Sequence, residues 1–171
     1  HVPMIGQFLR ETEALPVVFE VLREPHIRPK LAMHTLVVIG NLCSTAVDPE
    51  ADETKKQLRT LEHSAVKAVK AYVMSKNEGV RLYAVAALQN MTSDAGLCRD
   101  AVDLGAVSLI EKIIEELHPR RGTSDSVDRL YSLCAGVLVN VSENEGAEAD
   151  DGGEKPKSRG WSVARKSRKP S

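Results

Sequence analysis

The sequence predicts an all-α fold, a right-handed stack of helix pairs over residues 4–142. Three observations carry this. Apolar residues recur with helical spacing in paired segments. Three of those pairs end in the same Asn-centred pattern. No segment alternates apolar and polar residues between turn dipeptides, as a half-buried strand would. Aromatic residues make up only 4% of the 171 residues, so aliphatic and alanine side chains must do the packing, as in helix-on-helix architectures.

The paired segments run in order along the chain. Leu15, Val18, Phe19 and Leu22 fall at i, i+3, i+4 and i+7, the stripe of an amphipathic helix. Pro25 and Pro29 interrupt it, and an apolar run follows over residues 31–42. Ala65, Ala68, Val69 and Tyr72 form the second stripe; a polar turn at Asn77-Glu78-Gly79 leads into the run 80–91. Val107, Ile110, Ile114 and Leu117 form the third stripe, stopped at His118-Pro119, and the run 130–141 follows. Residues 37–39, 107–110 and 137–141 are rich in β-branched side chains, yet their flanks hold Ala and Leu at a 3.6 period, so helix is predicted there too.

Each apolar run ends alike: Leu36-Val37-Val38-Ile39-Gly40-Asn41-Leu42, Val85-Ala86-Ala87-Leu88-Gln89-Asn90-Met91 and Ala135-Gly136-Val137-Leu138-Val139-Asn140-Val141. Such self-similarity is the signature of a repeat architecture. The repeat units read as about 7–45, 57–94 and 97–143 within a domain of 1–142. Two polar stretches, 44–56 between units and 118–128 inside the third, read as surface loops inserted in a shorter parent unit.

This pattern resembles the armadillo repeat family. The best match is residues 77–117. There Val80-Arg81-Leu82-Tyr83-Ala84-Val85-Ala86-Ala87-Leu88-Gln89-Asn90-Met91-Thr92 looks like the family's Asn-ended helix. Cys98-Arg99-Asp100-Ala101-Val102-Asp103 looks like its short linking helix, and Gly105-Ala106-Val107 opens the helix after it. Glu13-Ala14-Leu15 matches that last motif with Glu for Gly, and Ser64 stands at the same site before Ala65. The resemblance covers about residues 7–143 and implies an armadillo/HEAT-like superhelix with a concave face. The residues four before each Asn are Val37, Ala86 and Gly136. Nuclear-import adaptors of the family carry Trp there, so this sequence departs from their pattern.

The recurring Asn is the feature richest in function. A helix interior disfavours Asn, whose amide competes for backbone hydrogen bonds, so three recurrences need a cause. Positions four and seven before each Asn share its face: His34, Val37 and Asn41; Tyr83, Ala86 and Asn90; Leu133, Gly136 and Asn140. The resemblance implies that these helices line a groove and that the Asn amides hold the backbone of an extended peptide, with Asn90 and Tyr83 at its centre. An amide suits the task because it donates and accepts at once. The alternative is structural: Asn near a helix end bonds exposed carbonyls or caps the next turn.

Other chemistry finds no support in the sequence. His1, His26, His34, His63 and His118 form no metal-spaced pair with one another or with Cys43, Cys98 and Cys134. No phosphate-binding glycine loop or nucleophile elbow occurs, so neither catalysis nor a cofactor is expected. The sequons at Asn90 and Asn140 fall on predicted helices and are discounted. Three widely spaced cysteines suit a reducing compartment, cytosol or nucleus. No apolar run reaches membrane-spanning length. Residues 1–142 carry 16 Lys and Arg against 18 Asp and Glu, without the basic excess a nucleic-acid binder needs.

From Glu143 the composition shifts to six acids and then seven bases among Gly, Ser and Pro, which predicts a disordered tail over 143–171. Its basic block suits a localisation signal, and Ser162, Ser167 and Ser171 follow an Arg by two or three residues. The chain begins at His1 and shows no signal peptide, so it is expected to be part of a longer protein. The function expected is a non-catalytic scaffold gripping an extended segment of a partner protein. The alternatives are a regulatory or targeting segment of a larger enzyme, such as a ubiquitin ligase or kinase, and a nuclear-transport-type adaptor.

Overall fold

The computed structural model describes residues 3–61 and 64–150. Nine α-helices occur among them, with no strand: α1 (Pro3–Glu11), α2 (Leu15–Arg23), α3 (Pro29–Leu42), α4 (Ala51–Arg59), α5 (Ala65–Val73), α6 (Glu78–Met91), α7 (Ala95–Asp103), α8 (Ala106–Leu117) and α9 (Asp125–Asp150). A 3-10 turn, His118–Arg120, joins α8 to α9. None of these helices is long and apolar enough to cross a membrane.

The helices fall into three triplets, each of two shorter helices and one long one. Local sequence explains most of the starts. Pro16 and Pro29 sit in the first turns of α2 and α3, where a missing N–H costs nothing. Ser64, Asn77 and Asp94 cap α5, α6 and α7, each side-chain oxygen accepting from the backbone N–H three residues on. Gly105 opens α8 in the left-handed region at φ +70°. Glu13, in the corresponding place before α2, takes φ +54° although it has a Cβ. The sequence motif aligned these two positions, and the backbone gives them one conformation.

The triplets stack in register. The first helices form one row (α1, α4, α7), the second another (α2, α5, α8) and the long helices a third, with α6 between α3 and α9. The core runs through the whole stack. Leu15, Phe19, Leu36 and Ile39 fill the first unit; Val66, Val69, Leu88 and Met91 fill the second; Ile110, Ile113, Cys134 and Val137 fill the third. All are at most 2% exposed, and their apolar burial supplies the main driving force for folding.

Three expectations are corrected. The helices come as triplets rather than pairs. Residues 44–56 are not simply an inserted loop: α4 begins at Ala51, and Ala51, Thr54, Lys55 and Leu58 are buried. The charged composition hid this helix, because two of its four buried positions are polar. The predicted tail boundary at 143 also moves, since α9 continues to Asp150. Asn144 ties this extension down by donating from Nδ2 to the Thr92 and Asn140 carbonyls at 3.2 and 2.8 Å, and Glu and Ala beyond it are good helix formers. The basic block and the three serines of the tail lie outside the described residues.

Candidate partner-binding face

The three long helices bring the nine predicted positions onto neighbouring elements. His34 and Asn41 are exposed. Val37, Tyr83, Ala86, Asn90, Leu133, Gly136 and Asn140 are half-buried. None is lost to the core, although buried residues flank all three sets: Leu36 and Ile39, Ala84 and Val85, Cys134 and Val137. This is the pattern of helices packed on two sides and open on one.

The Asn amides have a role that the sequence did not specify. Asn90 Nδ2 donates to the Gly40 carbonyl on α3 at 2.9 Å. Asn140 Nδ2 donates to the Gln89 carbonyl on α6 at 2.8 Å and to Thr92 Oγ1 at 3.1 Å. Each acceptor carbonyl belongs to the residue just before the preceding Asn. Asn90 and Asn140 therefore fasten α6 to α3 and α9 to α6. Gly40 and Gln89 lie in the last turns of α3 and α6, so these amides bond carbonyls at a helix end, as the structural alternative has it, on the neighbouring helix rather than their own.

The two glycines at these joints differ in what their surroundings demand. A Cβ on Gly40 would sit 3.5 Å from the Cα of Ala87, in ordinary contact. A Cβ on Gly136 would run into the Gln89 side chain. Gly136 thus makes room for Gln89, a half-buried amide between the second and third units. Gln89, Thr92 and Asn144 were not among the predicted residues. The one available signal was the spacing of Asn144, four residues after Asn140 on the same face.

The rows of shorter helices are fastened in other ways. Tyr72 on α5 donates its hydroxyl to the Leu22 carbonyl, and Lys70 donates Nζ to the Leu104 carbonyl. Arg10 on α1 donates to Asp48 at 2.6 Å, Thr54 at 2.8 Å and Glu50 at 2.5 Å. Burial alone would lower the affinity of Arg10 for its proton; the bonds to Asp48 and Glu50 reverse this and raise it. Lys55 links α4 onward to Ser93 at 2.9 Å.

Among the described residues, no group of three or more His, Cys, Asp or Glu is placed to hold a metal ion. Cys43, Cys98 and Cys134 are buried, with no disulfide. Burial pushes the thiols of Cys43 and Cys134 up to about 12, which suppresses the reactive thiolate. A cavity of about 720 Å³ lies between the end of α2 and α5, with Leu22, Pro25, Lys67 and Tyr72 on its walls. A second of about 340 Å³ lies beside Arg81, Leu117, Arg120 and Leu130. No protein-family model, curated protein or solved structure matches the chain.

Proposed function

We propose that the chain is an armadillo-type repeat module that binds an extended segment of a partner protein along the face of α3, α6 and α9, without catalysis of its own. One observation carries this reading: nine positions recurring with the repeat stay at or near the surface of three adjacent long helices. None of the nine is Lys, Arg, Asp or Glu. A face of amides, one imidazole, one phenol and small apolar side chains suits a peptide backbone better than a phosphate or a metal. Asn90 commits one N–H to Gly40; the other N–H and the side-chain oxygen are the groups a bound backbone engages. Tyr83 adds a flat surface with a polar tip, the residue type that dominates binding hot spots. The uncharged character of these nine side chains supports protein over nucleic acid as the partner.

A peptide-display screen against the chain tests this. The recovered peptides should bind Tyr83→Ala about tenfold more weakly or worse, as expected for losing a hot-spot side chain. Ala86→Glu should abolish binding by placing a charge at the centre of the face. Peptides that bind both variants as well as the parent chain rule the face out.

A further inference from the structure

Residues 118–126 join α8 to α9 and are all exposed. The segment contains Arg120-Arg121-Gly122-Thr123-Ser124-Asp125-Ser126. Ser124 follows Arg121 by three residues and Arg120 by four, a spacing that basic-directed serine kinases select. Thr123 follows the same two arginines by two and three residues, so the sequence alone leaves two acceptors open. The structure separates them. Thr123 Oγ1 turns back to donate to the Arg120 carbonyl at 2.6 Å. Ser124 stands immediately before α9 and lines the cavity of about 340 Å³ that Arg81 and Arg120 also line. Its Oγ accepts from the Val127 N–H at 3.4 Å, a long and weak bond.

The arginines of this cavity are poorly satisfied. Arg81 Nε is buried and has no hydrogen-bond partner among the described residues, which costs free energy in a folded protein. Arg81 Nη1 lies 3.6 Å from one carboxylate oxygen of Glu116, and Arg120 Nη1 lies 3.9 Å from the other. Both separations exceed the length of a charge-assisted hydrogen bond. One carboxylate is thus shared by two guanidinium groups and bonded closely by neither. The other acids nearby are Glu78 on the cavity wall, Asp125 next to Ser124, and Asp128, which accepts from the Gly122 N–H at 2.8 Å.

We propose that Ser124 is a phosphorylation site and that its phosphate docks in this cavity on Arg81 and Arg120. A basic-directed kinase transfers the γ-phosphoryl group of ATP. The γ-phosphorus bonds to Ser124 Oγ, its bond to the bridging oxygen of ADP breaks, and the hydroxyl proton passes to the base of the kinase. The phosphate carries about −2 charge and three strong acceptor oxygens. Arg81 Nε gains the acceptor it lacks, and both guanidinium groups gain short charge-assisted bonds. The phosphate also meets the positive end of the α9 dipole. Glu78 and Asp125 oppose it, but both are exposed, so solvent and salt screen their repulsion. Because Arg81 belongs to α6, the docked phosphate ties the start of α9 to the helix it packs on.

Two measurements test this. The chain is treated with a basic-directed serine kinase and ATP, and its tryptic peptides are sequenced by mass spectrometry. Cleavage after Arg121 and Arg129 isolates residues 122–129. Phosphate in that peptide should sit on Ser124, and Ser124→Ala should leave the peptide unmodified. A peptide without phosphate, or with phosphate on Thr123 or Ser126 instead, overturns the site. Docking is measured on the chain made with phosphoserine at position 124 by an expanded genetic code, which leaves the other serines unmodified. Its thermal midpoint should stand above that of the unmodified chain by roughly 2–4 °C, the scale of a modest stabilisation in a chain of this size. The rise should fall by half or more in Arg120→Ala and in Arg81→Gln. Each variant is compared with its own unmodified form, so any cost of the substitution itself cancels. A phosphate that leaves the midpoint unchanged or lowers it, or a rise that is undiminished in both variants, overturns the docking.

Discussion

Asn90 and Gly40 are joined across fifty residues of chain by one hydrogen bond, the Asn90 side-chain amide donating to the Gly40 carbonyl at 2.9 Å. This bond turns a residue that helices disfavour into a joint between two of them. It also separates the three asparagines by cost. Asn90→Ala and Asn140→Ala should each lower stability by about 1 kcal/mol, the usual net worth of such a bond. Asn41→Ala, on an exposed residue, should stay within about 0.5 kcal/mol of the parent. Urea midpoints at low protein concentration check this; an Asn41→Ala cost equal to that of Asn90→Ala would show that the joints do not set the difference.

Glu13 occupies the left-handed region at φ +54°, where Gly105 sits at φ +70°. A residue with a Cβ is disfavoured there by roughly 1–2 kcal/mol. Glu13→Gly should therefore raise stability by up to about 1 kcal/mol, the gain being trimmed by the entropy glycine loses on folding. Gly105→Ala should lower it by about 1–2 kcal/mol. Thermal midpoints that move in the opposite directions would refute the strain at Glu13.

Arg10, 8% exposed, lies against the carboxylate of Asp48, 5% exposed. Arg10→Met keeps the bulk and removes the charge, leaving Asp48 buried without its cation. The cost should be about 3–5 kcal/mol, as for breaking one side of a buried pair. Asp48→Asn in the Arg10→Met background should recover part of it. Denaturation of the single and double variants decides; a harmless Arg10→Met contradicts the pairing.

The buried thiols make stability depend on alkaline pH. Cys43 and Cys134 keep their protons in the fold until about pH 12, against 9.0 for a thiol in water. The folded state thus binds more protons than the unfolded state between these values. Stability is full below pH 9.0 and falls as pH rises toward about 12, by up to about 1.4 kcal/mol per pH unit for each thiol. The variant with both residues changed to Ala should lose less stability across that window. An identical alkaline slope in parent and variant would exclude the thiols as its source.

The parts of the fold that were legible in the sequence are those built on apolar periodicity. The stripe Leu15, Phe19, Leu22 and the runs 31–42 and 80–91 reappear as α2, α3 and α6. Helix α4 was illegible because it buries Thr54 and Lys55, and no hydrophobic pattern marks a polar side chain that is buried by virtue of its partners. The end of α9 was hidden for a related reason: Asn144 holds it through carbonyls more than fifty residues away in one case, Thr92, and four away in the other. The face of the three Asn sets was readable, since helical spacing alone puts positions four and seven residues apart together. The acceptors were not, because Gly40 and Gln89 receive the bonds through backbone atoms that carry no sequence signature.

Helix α6 has a long helix on each side, whereas α2 lies at the end of its row. Amide exchange should therefore be slower over residues 82–91 than over residues 15–23, since end elements open locally at lower free energy than central ones. Equal protection in the two helices would contradict a stack that is weakest at its end.

The central claim is that a partner segment lies along α3, α6 and α9. Amide chemical-shift mapping of the chain with a peptide recovered by display tests it most directly. The account predicts that the largest shifts cluster at His34, Val37, Tyr83, Ala86, Leu133 and Gly136, with the Asn90 side-chain amide among them. Shifts confined to the cavity between α2 and α5, or to the row α1, α4 and α7, would contradict it.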